Sequence, residues 1–435
     1  MSSTATKKLM KLSKTSQTLR TLTPEQVEAT DRLFEHDHTI LIAATGMGKT
    51  VICLTAIHEM IQEKYLNKVI VAAPAKVIEK MIWLNEAAKW KHLWGLRIIQ
   101  LEGTSQQRIK TLLANEAEIV LVSLNNLDWL LHQDHGCNGI VIDELSKAAG
   151  KWTKGLKSKK LCDRLIWRVG MTATPVSQDF MKLYSMTRII DGGRALGTNK
   201  QKYLQEYFHS DYLGYNWTLK EGADAKIMEK VASLVHLVAD DRTKVLPALR
   251  ESVLKFDMPA KTREIYTEMK KHLVADDVEA ANEAVKSGKL RQIASGFMYG
   301  ENGKVSVHLD KKRTEAVMAW CAKLHGKPGL IFYEFVEQGE QLKRLIPDNV
   351  TLAQVQSMSH GIDGLQHEFA DVLFVQPAWS RDIAEQAVGR VWRQGQEKPV
   401  TITTLVCNDT LDELVMARVE DRGQWMKLFK QHLGG

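Results

Sequence analysis

Paired cysteines are missing from this 435-residue chain. Its five cysteines (Cys53, Cys137, Cys162, Cys321 and Cys407) are scattered, with no C-x-x-C among them. That excludes a disulfide framework and a zinc ribbon and points to free thiols in a reducing compartment. None of the 14 histidines falls in an H-E-x-x-H, so no protein-held zinc is expected. No apolar run approaches the roughly 20 residues of a membrane-spanning helix. Internal repeats and low-complexity tracts are also absent, which excludes solenoids and fibrous arrays. Acidic residues are lacking from Met1 to Arg20. This Ser/Thr/Lys-rich stretch has no continuous apolar core of the kind a secretory signal carries. It reads as a flexible basic arm, with a transit peptide as the alternative that composition leaves open.

What is present is ordinary for a globular protein, with 44% hydrophobic and 26% charged residues. The length suits two or three domains. Net charge is 59 − 52 = +7, a mildly basic balance compatible with a polyanionic partner but not diagnostic of one.

The most informative stretch is Thr39-Ile40-Leu41-Ile42-Ala43-Ala44-Thr45-Gly46-Met47-Gly48-Lys49-Thr50. An apolar run ends in a small, glycine-rich turn, and a Lys-Thr pair opens a helix. Gly46 and Gly48 let the backbone curl so that successive N–H groups, from Thr45 through Met47 onward, face phosphate oxygens. The new helix adds its positive N-terminal end. In that reading Lys49 reaches the β/γ-phosphates of ATP and the Thr50 hydroxyl holds Mg²⁺. Ala43 stands where the generic phosphate-loop pattern has glycine. A strand–turn–helix corner with a chance lysine is the bland alternative, and it fades once the partners below are counted.

Along the chain, Thr23 is placed to cap a helix that has Pro24 at its first position and Gln26 three residues after the cap. Buried-strand patterns recur at Lys68–Ala73, Leu96–Leu101, Glu118–Ser123, Gly139–Ile142 and Leu165–Gly170, separated by helical patterns. This is the mark of a mostly parallel sheet covered on both faces. Every polar motif falls at a strand's carboxyl end, where open α/β sheets bind ligands. A helical insert follows over 186–249, carrying Tyr203, Tyr207, Phe208, Tyr212, Tyr215 and Trp217. Packing explains these rings better than base stacking does. From residue 250 to 435 a second, smaller α/β unit runs through Gly329–Tyr333, Val350–Met358, Val372–Val375 and Val400–Val406. A helix before its last strand carries Gln386, Arg390 and Arg393.

Asp143-Glu144, at a strand end about 90 residues after the phosphate loop, supplies the second half of a nucleotide site. Asp143 is expected to hold Mg²⁺ through water and Glu144 to polarise the attacking water. Arg390 and Arg393, three apart on a helix face, have the guanidinium forks that suit a transferring phosphoryl group. Two helical arginines taken alone would more often be a solvated face.

Taken together, AATGMGKT, VAAPAKVIEKMIWLNEAAKW, VIDELS, GMTATP, LIFYEF, SMSHGIDGLQ and QAVGRVWRQGQ resemble, in order, the motifs of superfamily-two helicases. The Arg-x-Gly-Gln ending and the late Asp409-Thr410-Leu411-Asp412-Glu413 are similar to the Swi/Snf (chromatin-remodeller) ATPases. The DELS box, the IIDGGRALG segment and the brevity of the chain look most like compact bacteriophage-encoded members. The match runs from Leu22 to Leu433. The resemblance implies two RecA-like parallel-sheet domains in tandem, the first over 21–185, with ATP between them and double-stranded DNA across both. By position it implies that Gln26 reads the adenine and that Thr172 and Thr174 couple hydrolysis to DNA. Gln386, Arg390 and Arg393 would close on the γ-phosphate. Pro74, Ala75 and Lys76, then Ser123, then Ser357, His360 and Gly361 would contact the DNA backbone, which positions a strand without reading its sequence. Lysines 147, 151, 154, 157, 159 and 160 either add phosphate contacts or form a solvated basic loop. A phage origin implies the host cytoplasm as the compartment.

The pattern departs from the family in two places. Only about 25 residues separate Phe332 from the SMSHG loop, too few for the roughly 30 of a complete strand–helix–strand unit. The second domain is therefore expected to be shortened by one βα unit. Ile362-Asp363-Gly364-Leu365 also replaces a G-L-N-L-like run. Both changes bear on coupling more than on nucleotide binding. Three readings follow: an ATP-driven translocase on duplex DNA, a strand-separating DNA or RNA helicase, or a non-motor clamp switched by ATP. Targeting to a substrate would fall to protein partners, the arm or the insert.

Overall fold

The computed structural model describes residues 22–151, 163–173, 180–210, 217–239, 246–275, 280–300, 305–355, 364–379, 381–393 and 395–417. The chain divides into two compact units between Asp240 and Asp241.

The first unit opens with α1 (Pro24–Glu35), started as its sequence dictates. The Thr23 hydroxyl accepts from the Gln26 N–H and the Gln26 side chain accepts from the Thr23 N–H, a complete capping box with Pro24 at the first position. Then come β1 (His38–Ile42), α2 (Lys49–Gln62), β2 (Val69–Ala73), α3 (Ala75–Glu79) and α4 (Ile82–Lys89). They are followed by β3 (Ile98–Gln100), α5 (Ser105–Ala114), β4 (Ile119–Ser123), α6 (Leu124–Leu131), β5 (Gly139–Ile142), α7 (Leu145–Lys151) and β6 (Trp167–Thr172). The segment read as a helical insert contributes α8 (Phe180–Asp191), α9 (Lys200–Tyr207) and α10 (Ala223–Val231). It also forms three short strands: β7 (Phe208–Ser210) and β8 (Trp217–Leu219), paired antiparallel, and β9 (Val235–Leu237). β9 joins the main sheet beside β1, giving seven strands in the order β3-β4-β2-β5-β6-β1-β9, all parallel.

Helices cover both faces of that sheet, so alternate side chains of each strand enter two cores. Ile40, Ile70, Val120 and Ile140 face one core. Leu41, Val71, Leu121 and Val141 face the other. Tyr203, Tyr207 and Phe208 are buried in the first core, with Tyr203 stacked on Tyr184 at 4.7 Å. Packing accounts for these aromatics, as expected. Asp191, in the IIDGGRALG segment, accepts from the N–H groups of Gly193 and Ala195 and holds a turn.

The second unit contains β10 (Leu249–Phe256), α11 (Ala260–Ala275), α12 (Ala280–Ala294), the antiparallel pair β11 (Phe297–Tyr299) and β12 (Val305–His308), and α13 (Lys312–Lys323). It continues through β13 (Gly329–Tyr333), α14 (Val336–Lys343), β14 (Val350–Gln354), α15 (Leu365–Glu368), β15 (Asp371–Phe374), α16 (Arg381–Val391) and β16 (Val400–Cys407). Its five-stranded sheet, β10-β16-β15-β13-β14, is again all parallel. Between β13 and β15 the described residues hold α14, one strand and the four-residue α15, which is the economy the short spacing demanded. The architecture is α/β, two parallel-sheet units in tandem.

One local expectation needs correction. The helix carrying the arginines ends at Val391, so Arg393 lies beyond it rather than on its face. Gln396 is buried, and its Nε2 donates to the carbonyls of Val391 and Phe369. With Gly395 at φ 92°, a backbone only glycine adopts cheaply, the Gly-Gln ending stops the helix and satisfies its last turn.

Candidate nucleotide site and nucleic-acid face

The loop between β1 and α2 is built as its glycines require. Gly46 has φ 90° and Gly48 φ 80°, so the chain turns left-handed twice in three residues. Gly48 occupies the N-cap of α2 without any side-chain cap, which leaves the first-turn N–H groups directed at the loop as an anion site. Met47 tucks into the core, while Thr45, Gly46 and Thr50 keep exposure. Lys49 Nζ donates to the Ala43 carbonyl at 2.7 Å and to that of Ala44 at 3.4 Å. Gln26 arches over the loop. Its Nε2 donates to the Met47 carbonyl at 3.2 Å, and a Cβ at Gly48 would collide with that nitrogen. Both ends of the Gln26 amide are therefore engaged by the chain itself.

β5 delivers Asp143 and Glu144. Asp143 keeps partial exposure, and one carboxyl oxygen accepts from Trp83 Nε1 at 3.1 Å. Burial, with the neighbouring Glu144 charge, pushes that carboxyl up to about 6 against the opposing pull of Trp83 and Lys49. Lys49 and Asp143 are thus near enough to act on one another electrostatically. Both also act on the buried thiol of Cys53 in α2, which burial drives far up. Glu144 stands at φ 59°, an uncommon conformation for a residue with a Cβ and a strained one.

Strand order brings the remaining candidates of this unit to the same edge. Thr172 ends β6, directly beside β1, and its carbonyl accepts from the Ala43 N–H at 3.2 Å. Its side chain is buried. β2 pairs with β4 so that Ala73 lies opposite Ser123. That sets Pro74 and the exposed Ala75 and Lys76 beside Ser123, whose hydroxyl accepts from Asn126 Nδ2 at 2.9 Å. Lys147 is exposed on α7.

In the second unit Gln386 and Arg390 lie one turn apart on α16 and are half-buried, as is Arg393 beyond it. Ala387 and Val391 on the other face are buried in the core. Thr174, Ser357, His360, Gly361 and lysines 154, 157, 159 and 160 lie outside the described residues, and so does the arm over 1–20.

Two groups of polar residues escaped the sequence reading. Trp83 lies within the stretch VAAPAKVIEKMIWLNEAAKW but has no role assigned there, and its contact with Asp143 appears only in the fold. At the ends of β13 and β15, Glu334 receives Arg291 at 2.7 Å and Gln376 Nε2 at 2.8 Å. Gln338 Nε2 donates to Gln376 and to Ser295. The partners are up to 81 residues apart in the chain, so spacing carries no signal of them. Among the described residues no cluster of His, Cys, Asp and Glu could hold a metal by itself, and no helix is long and apolar enough to cross a membrane.

A family described as the SNF2-related domain matches residues 10–302. A relative called putative protein p41, from Acyrthosiphon pisum secondary endosymbiont phage 1, is 26% identical over 92% of this chain and 96% of its own length. A DNA repair and recombination protein RAD54-like from Drosophila ananassae is 24% identical over 87% of this chain, which spans 58% of that protein. A solved Sulfolobus solfataricus SWI2/SNF2 ATPase core in complex with dsDNA covers 94% of this chain at 18% identity, with a TM-score of 0.46.

Proposed function

The chain belongs to the SNF2-related domain family, and we propose that it is a DNA-dependent ATPase that moves along duplex DNA, displacing bound proteins or remodelling junctions. The observation that carries this reading is the convergence of a phosphate loop, a lysine and two carboxylates at adjacent ends of β1, β5 and β6, flanked by exposed residues after β2 and by the half-buried Ser123 at the end of β4.

ATP phosphates take the place of the Ala43 and Ala44 carbonyls as partners of Lys49, and the first-turn N–H groups of α2 receive their remaining charge. Gln26 gives up its contacts with Thr23 and Met47 for the adenine edge. Thr50 offers a hard oxygen ligand that suits Mg²⁺ and Asp143 would hold the ion through water; a carboxylate lifted to about 6 by burial and repulsion fits an added cation. When bound, that ion neutralises charge on the transferring phosphoryl group. Glu144 orients the attacking water and takes its proton, while Gln386, Arg390 and Arg393 supply the donors for the γ-phosphate. Pro74, Ala75, Lys76 and Ser123 hold DNA phosphates, joined by Ser357, His360 and Gly361, and the linkage of Thr172 to Ala43 transmits the nucleotide state. Thr174 shares that role. Targeting falls to protein partners, the arm or the insert, and the host cytoplasm is the working compartment.

The short β13–β15 connection favours one competing reading, a clamp that binds DNA and hydrolyses slowly. ATP hydrolysis measured without nucleic acid and with duplex, single-stranded and branched DNA and RNA, each across a salt series, separates the two. Strong duplex stimulation that falls with salt and vanishes in Lys49→Ala and Arg390→Ala is the translocase result, and the salt slope counts the phosphates held. Hydrolysis at the level of those two variants, with DNA binding retained, would sink the motor.

A further inference from the structure

We propose that Trp83 is a positioning residue for the metal-holding carboxylate, fixing the orientation of Asp143 through its indole N–H. This rests on the ATPase reading above and adds to it a residue that contacts neither nucleotide nor metal.

The geometry is specific. α3 ends at Glu79, and Met81, in the left-handed region at φ 53°, is the N-cap from which α4 starts at Ile82. Trp83 is the second residue of α4 and is only 1% exposed, its ring set in the core with Ala73, Val141 and Met171. A side chain so enclosed has no room to swing, and its one polar atom meets Asp143 at 3.1 Å. The chemistry of that donor matters. An indole N–H is a donor only and carries no charge, so it orients the carboxylate without neutralising it. A lysine in the same place would compete with the cation it is meant to help. Groups that orient metal-bound carboxylates in this way typically carry about 10–100-fold in metal affinity or activity.

The alternative is that Trp83 is core packing and Asp143 merely a convenient acceptor for a buried N–H. Trp83→Phe separates them, because it keeps an aromatic ring and removes the donor. The measurement is the binding of a fluorescent ADP to the full chain, with Mg²⁺ titrated from zero, in the wild type, Trp83→Phe, Asp143→Asn and the double variant. The expected result is a rise of about 10–100-fold in the Mg²⁺ needed for half-maximal binding in Trp83→Phe, with metal-free ADP affinity unchanged. In the Asp143→Asn background the same substitution should add nothing. A Trp83→Phe protein with an unchanged Mg²⁺ requirement, or with metal-free and Mg²⁺-supported binding weakened equally, overturns the proposal. Should that variant not fold, the benzothiophene isostere installed at position 83 replaces N–H by sulfur at nearly constant volume and is judged by the same outcomes. A wild-type chain that binds ADP with no Mg²⁺ dependence overturns the metal role of Asp143 and the proposal with it, whereas a wild-type chain that binds no ADP overturns the nucleotide-site reading itself.

Discussion

The carboxyl ends of the two sheets treat charge in opposite ways. In the first unit, β5 ends in Asp143-Glu144, and burial and mutual repulsion raise the Asp143 carboxyl to about 6 despite nearby Lys49. In the second, β13 ends at Glu334, which is met at once by Arg291 and Gln376, with Gln338 and Ser295 completing the net. Arg313 is likewise paired with Asp412 and donates to the Val375 carbonyl. One edge holds charge that the fold leaves incompletely compensated, and the other has its charge matched internally. A buried polar network whose charges are paired rigidifies a structure. A buried charge kept at a cost marks a place where a ligand supplies the balance.

The comparison can be broken in four ways. The largest effect belongs to Arg390→Ala, expected to lower DNA-stimulated hydrolysis by about 10³-fold or more if this guanidinium acts on the γ-phosphate. Steady-state kinetics should show the loss in kcat, with ADP binding by the first unit little changed.

Next comes Arg291→Ala. It leaves Glu334 in place with its charge partner gone, and breaking such a pair costs about 3–5 kcal/mol. Glu334 keeps some exposure, 14% of its side chain, so the lower end applies. Urea unfolding should show the second unit destabilised, and ADP binding should survive; a loss of ADP binding at equal stability would mean that this edge is a ligand site after all.

Asp143→Asn tests the opposite edge. A raised carboxyl pKa penalises the charged form in the folded chain. Its contribution therefore favours the fold at acid pH and is lost as pH climbs from the ordinary 3.8 to about 6. At about pH 7.5 the asparagine variant should be more stable by on the order of 1–3 kcal/mol while losing Mg²⁺-dependent ADP binding. At about pH 4 the gain should disappear, and equal stability at both pH values would show that Asp143 carries no such penalty.

Gly48→Ala gives the smallest expected effect on the fold. A methyl group there meets Gln26 Nε2 at a φ of 80°, so about 1–2 kcal/mol of stability should go. Melting temperature reads that loss, and a double variant with Gln26→Ala should recover the steric part of it.

How much of this was legible without coordinates follows from how local each feature is. The capping box at Thr23 and Gln26, the turn at Gly46–Gly48 and the strand-end pair Asp143-Glu144 involve residues within a few positions of one another, and short-range rules of backbone conformation read them directly. The helix carrying Arg390 was also visible, but its end was not. What stops it at Val391 is Gln396 reaching both its last turn and Phe369, and the second contact is remote in sequence. The strands of the insert were missed for a similar reason. β9 has three residues, too few for periodicity to register, and it exists because β1 offers an open edge.

The sequence by itself therefore determined the α/β class, the two units and which residues stand at the ends of β1 and β5, because alternation, glycine and capping act over a few residues. Only the tertiary structure decided which strand neighbours which, and with it that Ser123 stands beside Pro74 and Thr172 beside the phosphate loop. It also decided that a tryptophan 60 residues from Asp143 donates to that carboxylate. Those choices belong to packing, where a contact depends on what the rest of the chain has already filled.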